Sequence, residues 1–229
     1  MKFLYFISTL DRSYGGPVEG VKNVTNKLIE LNHNVDILTL DNKIDRRNEF
    51  KAKIFNPGHS FLNYKLNFKI IIWLLQNKNS YDHIIVNGIW QFHTLASRIA
   101  LGKGHYFLYV HGMLDPWFKE RYKFKHLKKL IYWFLFERKN LQYSKKVLFT
   151  TYNEYLLAAQ SFPFFSCNYL ITGFGINSLK NGNPSSLVNI NSRLHYLMTL
   201  NKRIFLHLGR VDPKKGTDIL IPVAKEMSF

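Results

Sequence analysis

The stretch that decides the fold is residues 1–40, MKFLYFISTLDRSYGGPVEGVKNVTNKLIELNHNVDILTL. Lys2–Ile7 is a compact, aromatic-rich apolar run that reads as a strand. A polar loop over 8–16 closes it, and Pro17 stands where the first turn of a helix tolerates proline. Val18, Val21, Val24, Leu28 and Leu31 then recur at three- and four-residue spacing, the signature of a helix with one buried stripe. Asn32-His33-Asn34 breaks that helix, and residues 35–40 read as a second strand. A secretory leader also begins with a Lys and an apolar run. Here the run meets Asp11-Arg12 at once and offers no small-residue cleavage site, so it is read as a buried first strand.

The same alternation continues outward. Residues 41–51 are a charged loop, 64–76 a helix, 83–87 a strand, 93–101 a helix and 106–110 an aromatic strand. A long helix is expected over 117–142, a strand over 146–151, a short helix over 153–160 and a strand over 168–172. Strands separated by helices imply parallel crossover units, hence an α/β, doubly wound, Rossmann-like parallel sheet. Continuous apolar strands such as FLYFI and HIIVN fit burial on both faces. The polar stretch 177–191 has linker composition, and one further strand–loop–helix unit follows over 203–225. The expected division is therefore a first domain over 1–176, a linker over 177–202, and the opening βα unit of a second Rossmann-like domain over 203–229.

Composition narrows the chemistry. At 229 residues with 46% hydrophobic and 21% charged side chains, the chain can bury a real core. Its single cysteine, Cys167, permits no internal disulfide. The longest apolar runs, 70–75 and 130–136, are too short to span a bilayer. We therefore expect a cytoplasmic protein. The formal net charge of +17 demands an anionic partner: a phosphorylated small molecule, an anionic membrane surface or nucleic acid.

Candidate sites lie where strands give way to helices. Gly15 and Gly16, just before a helix start, allow close backbone approach to a phosphate; a plain tight turn is the other reading. The loop 209–216 carries Arg210 and Lys215, able to converge on one anion or simply to be solvated. His111-Gly112 follows the aromatic strand, at the end of such a sheet where substrates bind; a histidine satisfied by nearby backbone is the alternative. Metal-ligand spacings, a Gly-x-Gly-x-x-Gly fingerprint, a Walker lysine and a nucleophile elbow are all missing from the sequence, so no metal or cofactor is expected.

Residues 119–146 hold ten of the Lys and Arg residues against Glu120 and Glu137, interleaved with aromatic and aliphatic side chains. Lys123, Lys125, Lys128 and Lys129 are the candidates for contact with an anionic membrane. Alternatively the apolar stripe is core and the lysines merely solvate. Nucleic acid is disfavoured, because no helix-turn-helix, RNA-recognition or finger signature accompanies the charge.

Taken in order, GGPVEGVKNVTNKLIELNHNVDILT (15–39), YVHGMLDPW (109–117), FERKNLQYSKKVLFTTYNE (136–154), GFGIN (173–177) and FLHLGRVDPKKGTDIL (205–220) resemble family 4 glycosyltransferases of the two-Rossmann-domain GT-B architecture. HGMLDPW resembles the subset that builds bacterial surface polysaccharides, lipopolysaccharide among them. The resemblance implies sugar transfer from a nucleotide-sugar (UDP- or GDP-linked) to an acceptor, here a lipid-linked saccharide at the inner membrane face, with retention and without a bound metal. It implies that Gly15 and Gly16 face the donor diphosphate, that His111 contacts the donor sugar, and that Arg210 and Lys215 neutralise the leaving group. Two departures stand out: Gly173-Phe174-Gly175 replaces the family's Pro-Asn-Gly, and the Glu-x7-Glu motif does not appear in the fourteen residues after Lys215. The expectation is thus an acceptor domain with only the start of a donor domain. The competing reading is a catalytically incompetent truncated remnant or a basic membrane-binding module.

Overall fold

A computed structural model describes the chain except residues 46, 174, 176–195, 197, 198, 201–206, 208, 210 and 227–229. The chain divides into two compact units, Met1–Asn177 and Ser178–Phe229. Apart from residue 207, the strand expected to open the unit over 203–225, and almost all of the linker, therefore lie outside the described residues.

The first unit is built on seven parallel strands: β1 (Lys2–Ile7), β2 (Asn34–Thr39), β3 (Lys53–Phe55), β4 (His83–Asn87), β5 (Phe107–Tyr109), β6 (Lys146–Phe149) and β7 (Tyr169–Ile171). Their order across the sheet is β3-β2-β1-β4-β5-β6-β7. Helix α1 (Gly16–Glu30) returns from β1 to β2, α2 (Lys69–Asn77) precedes β4, and α3 (Phe92–Leu101) links β4 to β5. The doubly wound expectation is met. Chain direction across the sheet reverses between β1 and β4, and the crevice at such a switch is where these sheets take ligands.

Side chains alternate across each strand, so β1 feeds two cores at once. Leu4 and Phe6 join Ile70, Leu74, Phe92 and Trp133 on one face. Tyr5 and Ile7 join Val18 and Val21 of α1 with Ile37 and Ile54 on the other. Each fully buried Leu, Ile or Phe of this kind contributes about 1.5–3 kcal/mol, which explains why a central strand carries no charge beyond its first residue.

Three local expectations need correction. Strand β3 was not expected, because Lys53–Phe55 pairs for only three residues, in the stretch between the charged loop 41–51 and residue 64 to which no element was assigned. The helix expected from residue 64 begins at Lys69 instead. Leu62 and Lys65 adopt φ of 59° and 57°, and an isolated bridge joins Phe61 to Leu66, so the chain folds back before it can coil. The long helix over 117–142 is divided into α4 (Trp117–Arg121), α5 (Lys123–Tyr132), a π-helical turn (Trp133–Glu137) and α6 (Arg138–Tyr143). Tyr122, at φ −129° and ψ 65°, makes the first break.

The π turn directs Trp133 and Glu137 into the core. Trp133 donates its indole N–H to the Pro163 carbonyl at 2.9 Å and stacks on Phe162. Glu137 Oε2 accepts from Asn140 Nδ2 at 3.0 Å and Thr94 Oγ1 at 3.3 Å, while Oε1 has no partner among the described residues. Burial pushes the Glu137 carboxyl up to about 7. Between its ordinary value and 7 the folded chain holds a proton that the unfolded chain releases, so folding gains from this group at low pH and loses the gain as pH rises through 7. Glu137→Gln, which keeps the shape but does not titrate, is expected to remove this component of the pH dependence. Melting curves from about pH 5 to about pH 8 check it. Parallel curves for both proteins would contradict the assignment.

The second unit contributes, among its described residues, a 3₁₀ turn at Pro213–Lys215 and helix α8 (Thr217–Glu226). Asp212 caps the turn by accepting from Lys214 N at 2.9 Å, and Gly216 leaves it in the left-handed region at φ 65°. Ile219, Leu220, Ile221 and Val223 of α8 are exposed.

Candidate functional site

Every strand of the parallel sheet presents its carboxyl end on one edge, and the chain places its polar loops there. The first of these is fixed by Asp41, just past β2. Its carboxylate accepts from Thr9 Oγ1, Leu10 N and Lys65 Nζ, each at 2.6 Å. Lys65 also donates to the Ser8 carbonyl at 3.1 Å. This largely buried ion pair holds the start of the loop after β1 from two sides. The loop then runs through a short turn capped by Asp11 to Gly15, whose φ of 76° strains any side chain. Gly16 opens α1 with Pro17 beside it. A methyl group built on Gly15 or Gly16 would meet nothing within 4 Å among the described residues, so the backbone is open to approach there, at the positive end of a fifteen-residue helix. Tyr14 leans across the switch point, its hydroxyl donating to Gln91 Oε1 at 3.4 Å.

On the other side of the switch, Asn87 ends β4 and is buried. Its Nδ2 donates to the Ile85 carbonyl, so Oδ1 is left to accept from His111 Nε2–H at 3.0 Å. His111 has φ 50° and stacks on Tyr109 with ring centroids 4.1 Å apart. Burial pushes its imidazole down to about 4, so it is neutral at physiological pH with the proton on Nε2. A non-glycine residue held at positive φ by two side chains is strain kept at one place. His93, also pushed to about 4 by burial, donates instead to the carbonyls of Asn87 and Gly88 and secures the turn after β4.

Glu154 ties this edge together. Thr151 caps α7 (Tyr152–Ser161), its hydroxyl accepting from Glu154 N at 3.1 Å. The Glu154 side chain reaches back past the cap: Oε1 accepts from Gly112 N at 2.6 Å, and Oε2 accepts from Thr150 N at 2.7 Å and from the Thr150 hydroxyl. The loops after β5 and β6 are thus pinned through one carboxylate. Thr151 and Glu154 have capping-box spacing, so the helix start was legible, whereas the tie to Gly112 was not.

Of the residues singled out from sequence, Gly15, Gly16 and His111 occupy carboxyl-end loops of this one edge. Lys215 lies in the 3₁₀ turn of the second unit, and Arg210 is outside the described residues. Asn87, Glu154, Asp41 and Lys65 were not singled out. A polar Asn at the end of HIIVN is the one sequence signal that could have found the first of them.

The basic block resolves into two populations. No residue of α5 is buried: Phe124 is 88% exposed, and Leu127 and Ile131 are more than half exposed. The core reading fails for these three, while Leu130 and Trp133 do pack inward. Lys123 and Lys128 project into solvent. Lys125 sits over the Tyr122 ring at 4.9 Å, and Lys129 over the Trp90 ring at 4.8 Å. No helix among the described residues is long and apolar enough to cross a membrane.

Known proteins add a comparison of folds. No family model and no curated protein matches this sequence. Sucrose-phosphate synthase from Thermosynechococcus elongatus superposes over the full length of this chain with a TM-score of 0.62 at 14% identity, and the match covers 60% of that protein. Anabaena Alr3699/HepE, solved in complex with UDP and glucose, gives 0.53 at 17% identity, covering 99% of this chain and 58% of its own. The chain therefore spans somewhat less than two thirds of the structures it matches. At these identities the likeness speaks for the fold alone: an α/β, Rossmann-like parallel sheet of the kind these GT-B neighbours carry.

Proposed function

We propose that this chain serves a glycosyltransferase that moves a sugar from a nucleotide-sugar to a lipid-linked saccharide at the cytoplasmic face of a membrane, in the building of a surface polysaccharide. The observation that carries the reading is that one sheet edge carries, to either side of the β1/β4 switch, an open glycine loop at a helix N-terminus and a neutral, positioned histidine. In this reading the amides around Gly15 and Gly16 face the donor diphosphate. Departure of the nucleoside diphosphate builds negative charge, which Arg210 and Lys215 offset without a metal ion, each prearranged cation lowering the barrier. His111, held neutral with its one N–H donating to Asn87, meets the sugar as a hydrogen-bond acceptor rather than as a competing positive charge beside an oxocarbenium-like centre. Transfer proceeds with retention. The exposed Phe124, Leu127 and Ile131 with Lys123, Lys125, Lys128 and Lys129 form the face that rests on anionic lipid.

The test is turnover of UDP- and GDP-sugars by the protein on anionic vesicles carrying extracted acceptor lipids. Acceptor-dependent release of nucleoside diphosphate is expected. Vesicle binding without turnover of any nucleotide-sugar would instead make the chain a basic membrane-binding module, a reading that the same exposed α5 face favours.

A further inference from the structure

Beside the loop that carries His111, a cleft of about 60 Å³ opens between α4, α5 and the end of α7. On the same measure one buried water takes roughly 10–15 Å³, so the cleft admits a single compact polar group and no nucleotide. Lys119, Lys125, Lys129 and His126 line it, together with Met113 and Asp115. Asp115 is the one carboxylate of the lining, and its Oδ1 already accepts from Trp117 N at 2.9 Å. Three lysines therefore border the cleft against a single carboxylate, with Lys119 Nζ also 3.5 Å from the Gln160 carbonyl.

The arrangement is built rather than incidental. Trp90, held at φ 73°, donates its indole N–H to the Met113 carbonyl at 3.2 Å and offers its face to Lys129 and to Phe162. Met113 in turn packs on Gly88 at the switch point. His126 lies against Phe162 with centroids 4.9 Å apart. The cations also oppose one another: burial and then Lys125 push the Lys129 ammonium down, and burial followed by Lys119 and Lys129 pushes the His126 imidazole down. A dianionic or monoanionic oxygen cluster in the cleft relieves that repulsion and accepts several charge-assisted hydrogen bonds.

We infer that this cleft is a binding site for one phosphate-type oxyanion, formed chiefly by Lys125 and Lys129 with Lys119 and His126 around it. The neighbouring exposed Phe124 and Leu127 favour a phosphate borne on a lipid. In that case the inference rests on the proposed transferase reading and deepens it: the phosphate linking the acceptor to its lipid is held in a cleft whose wall includes Met113 and Asp115, on the loop that continues from the His111-Gly112 turn.

The test uses neither nucleotide nor sugar, so its failure is separable from failure of the transferase reading. Inorganic phosphate is titrated into the full chain by calorimetry, and binding to phosphatidylcholine vesicles is compared with and without phosphatidic acid. Lys125→Gln and Lys129→Gln are set against Lys103→Gln, which removes the same charge from an exposed position that neither lines the cleft nor belongs to the proposed lipid-facing helix. The expected result is one saturable phosphate per chain, weakened tenfold or more by Lys125→Gln or Lys129→Gln and less than twofold by Lys103→Gln. If only the phosphatidic acid vesicles bind, with the same ordering of variants, the phosphate is lipid-borne. If inorganic phosphate binds and the vesicles do not, it is a free one. Equal losses for all three variants would reduce the site to diffuse surface charge and overturn the proposal, as would no binding of either probe.

Discussion

Replacing His111 by alanine is expected to lower nucleotide-sugar turnover by about 10²-fold or more, a loss of about 2.7 kcal/mol in transition-state stabilisation. The argument begins with placement. His111 stands at the carboxyl end of β5, and Asn87 fixes its tautomer through the Nε2–H bond at 3.0 Å. Stacking on Tyr109 fixes the ring plane. A side chain constrained at both ring face and ring edge loses little entropy when it meets a sugar, which is how prearranged groups lower a barrier. Alanine visits the left-handed region less readily than histidine and leaves the buried Asn87 Oδ1 without this donor, so a fall in melting temperature accompanies that variant. His111→Asn separates the two effects, because asparagine tolerates this backbone region. It should keep the fold and still lose turnover. Normal turnover by the asparagine variant would remove His111 from the chemistry.

The second large effect belongs to Glu154. Truncation to alanine strands the amides of Gly112 and Thr150 and the Thr150 hydroxyl, all of which now donate to one half-buried carboxylate. Hydrogen bonds to a charged group are worth about 1.5–3 kcal/mol each, and water can reach part of this site, so the expected cost is about 2–4 kcal/mol. For a chain of this size that is a fall of roughly 5–12 °C in melting temperature. Glu154→Gln should cost about half as much, since one oxygen still accepts while the amide NH₂ confronts a donor. Turnover should fall in both variants, because release of Gly112 loosens the His111 turn. An unchanged melting temperature for Glu154→Ala would show that the two loops are held by something else.

How far these features could be read from sequence follows from the range of the forces involved. The α/β alternation was legible because periodicity is local: Val18, Val21 and Leu28 mark the inner stripe of α1 within fifteen residues, although Val24 and Leu31, read into the same stripe, are exposed, and FLYFI marks a strand covered on both faces. The glycines and His111 were legible by position, since strand ends in such a sheet are ligand sites whatever the loop contains. Strand β3 was hidden because three residues carry too little pattern. The π turn was hidden because an amphipathic run reads the same with or without one extra residue in a turn. Asn87 and Glu154 were hidden for another reason: their partners lie 24 and 42 positions away, and nothing in the local sequence names them. The exposure of Phe124, Leu127 and Ile131 was likewise undecided, because an apolar stripe on a basic helix serves a core or a membrane equally well.

The most direct measurement of the central claim is amide hydrogen exchange of the chain with and without UDP-glucose and GDP-mannose. The account predicts that one of these donors slows exchange in the segments around Gly16 and around Gly112, on both sides of the β1/β4 switch. It predicts slowing around Lys215 as well. Unchanged exchange in all three segments under saturating concentrations of both donors, or protection confined to other parts of the chain, would contradict it.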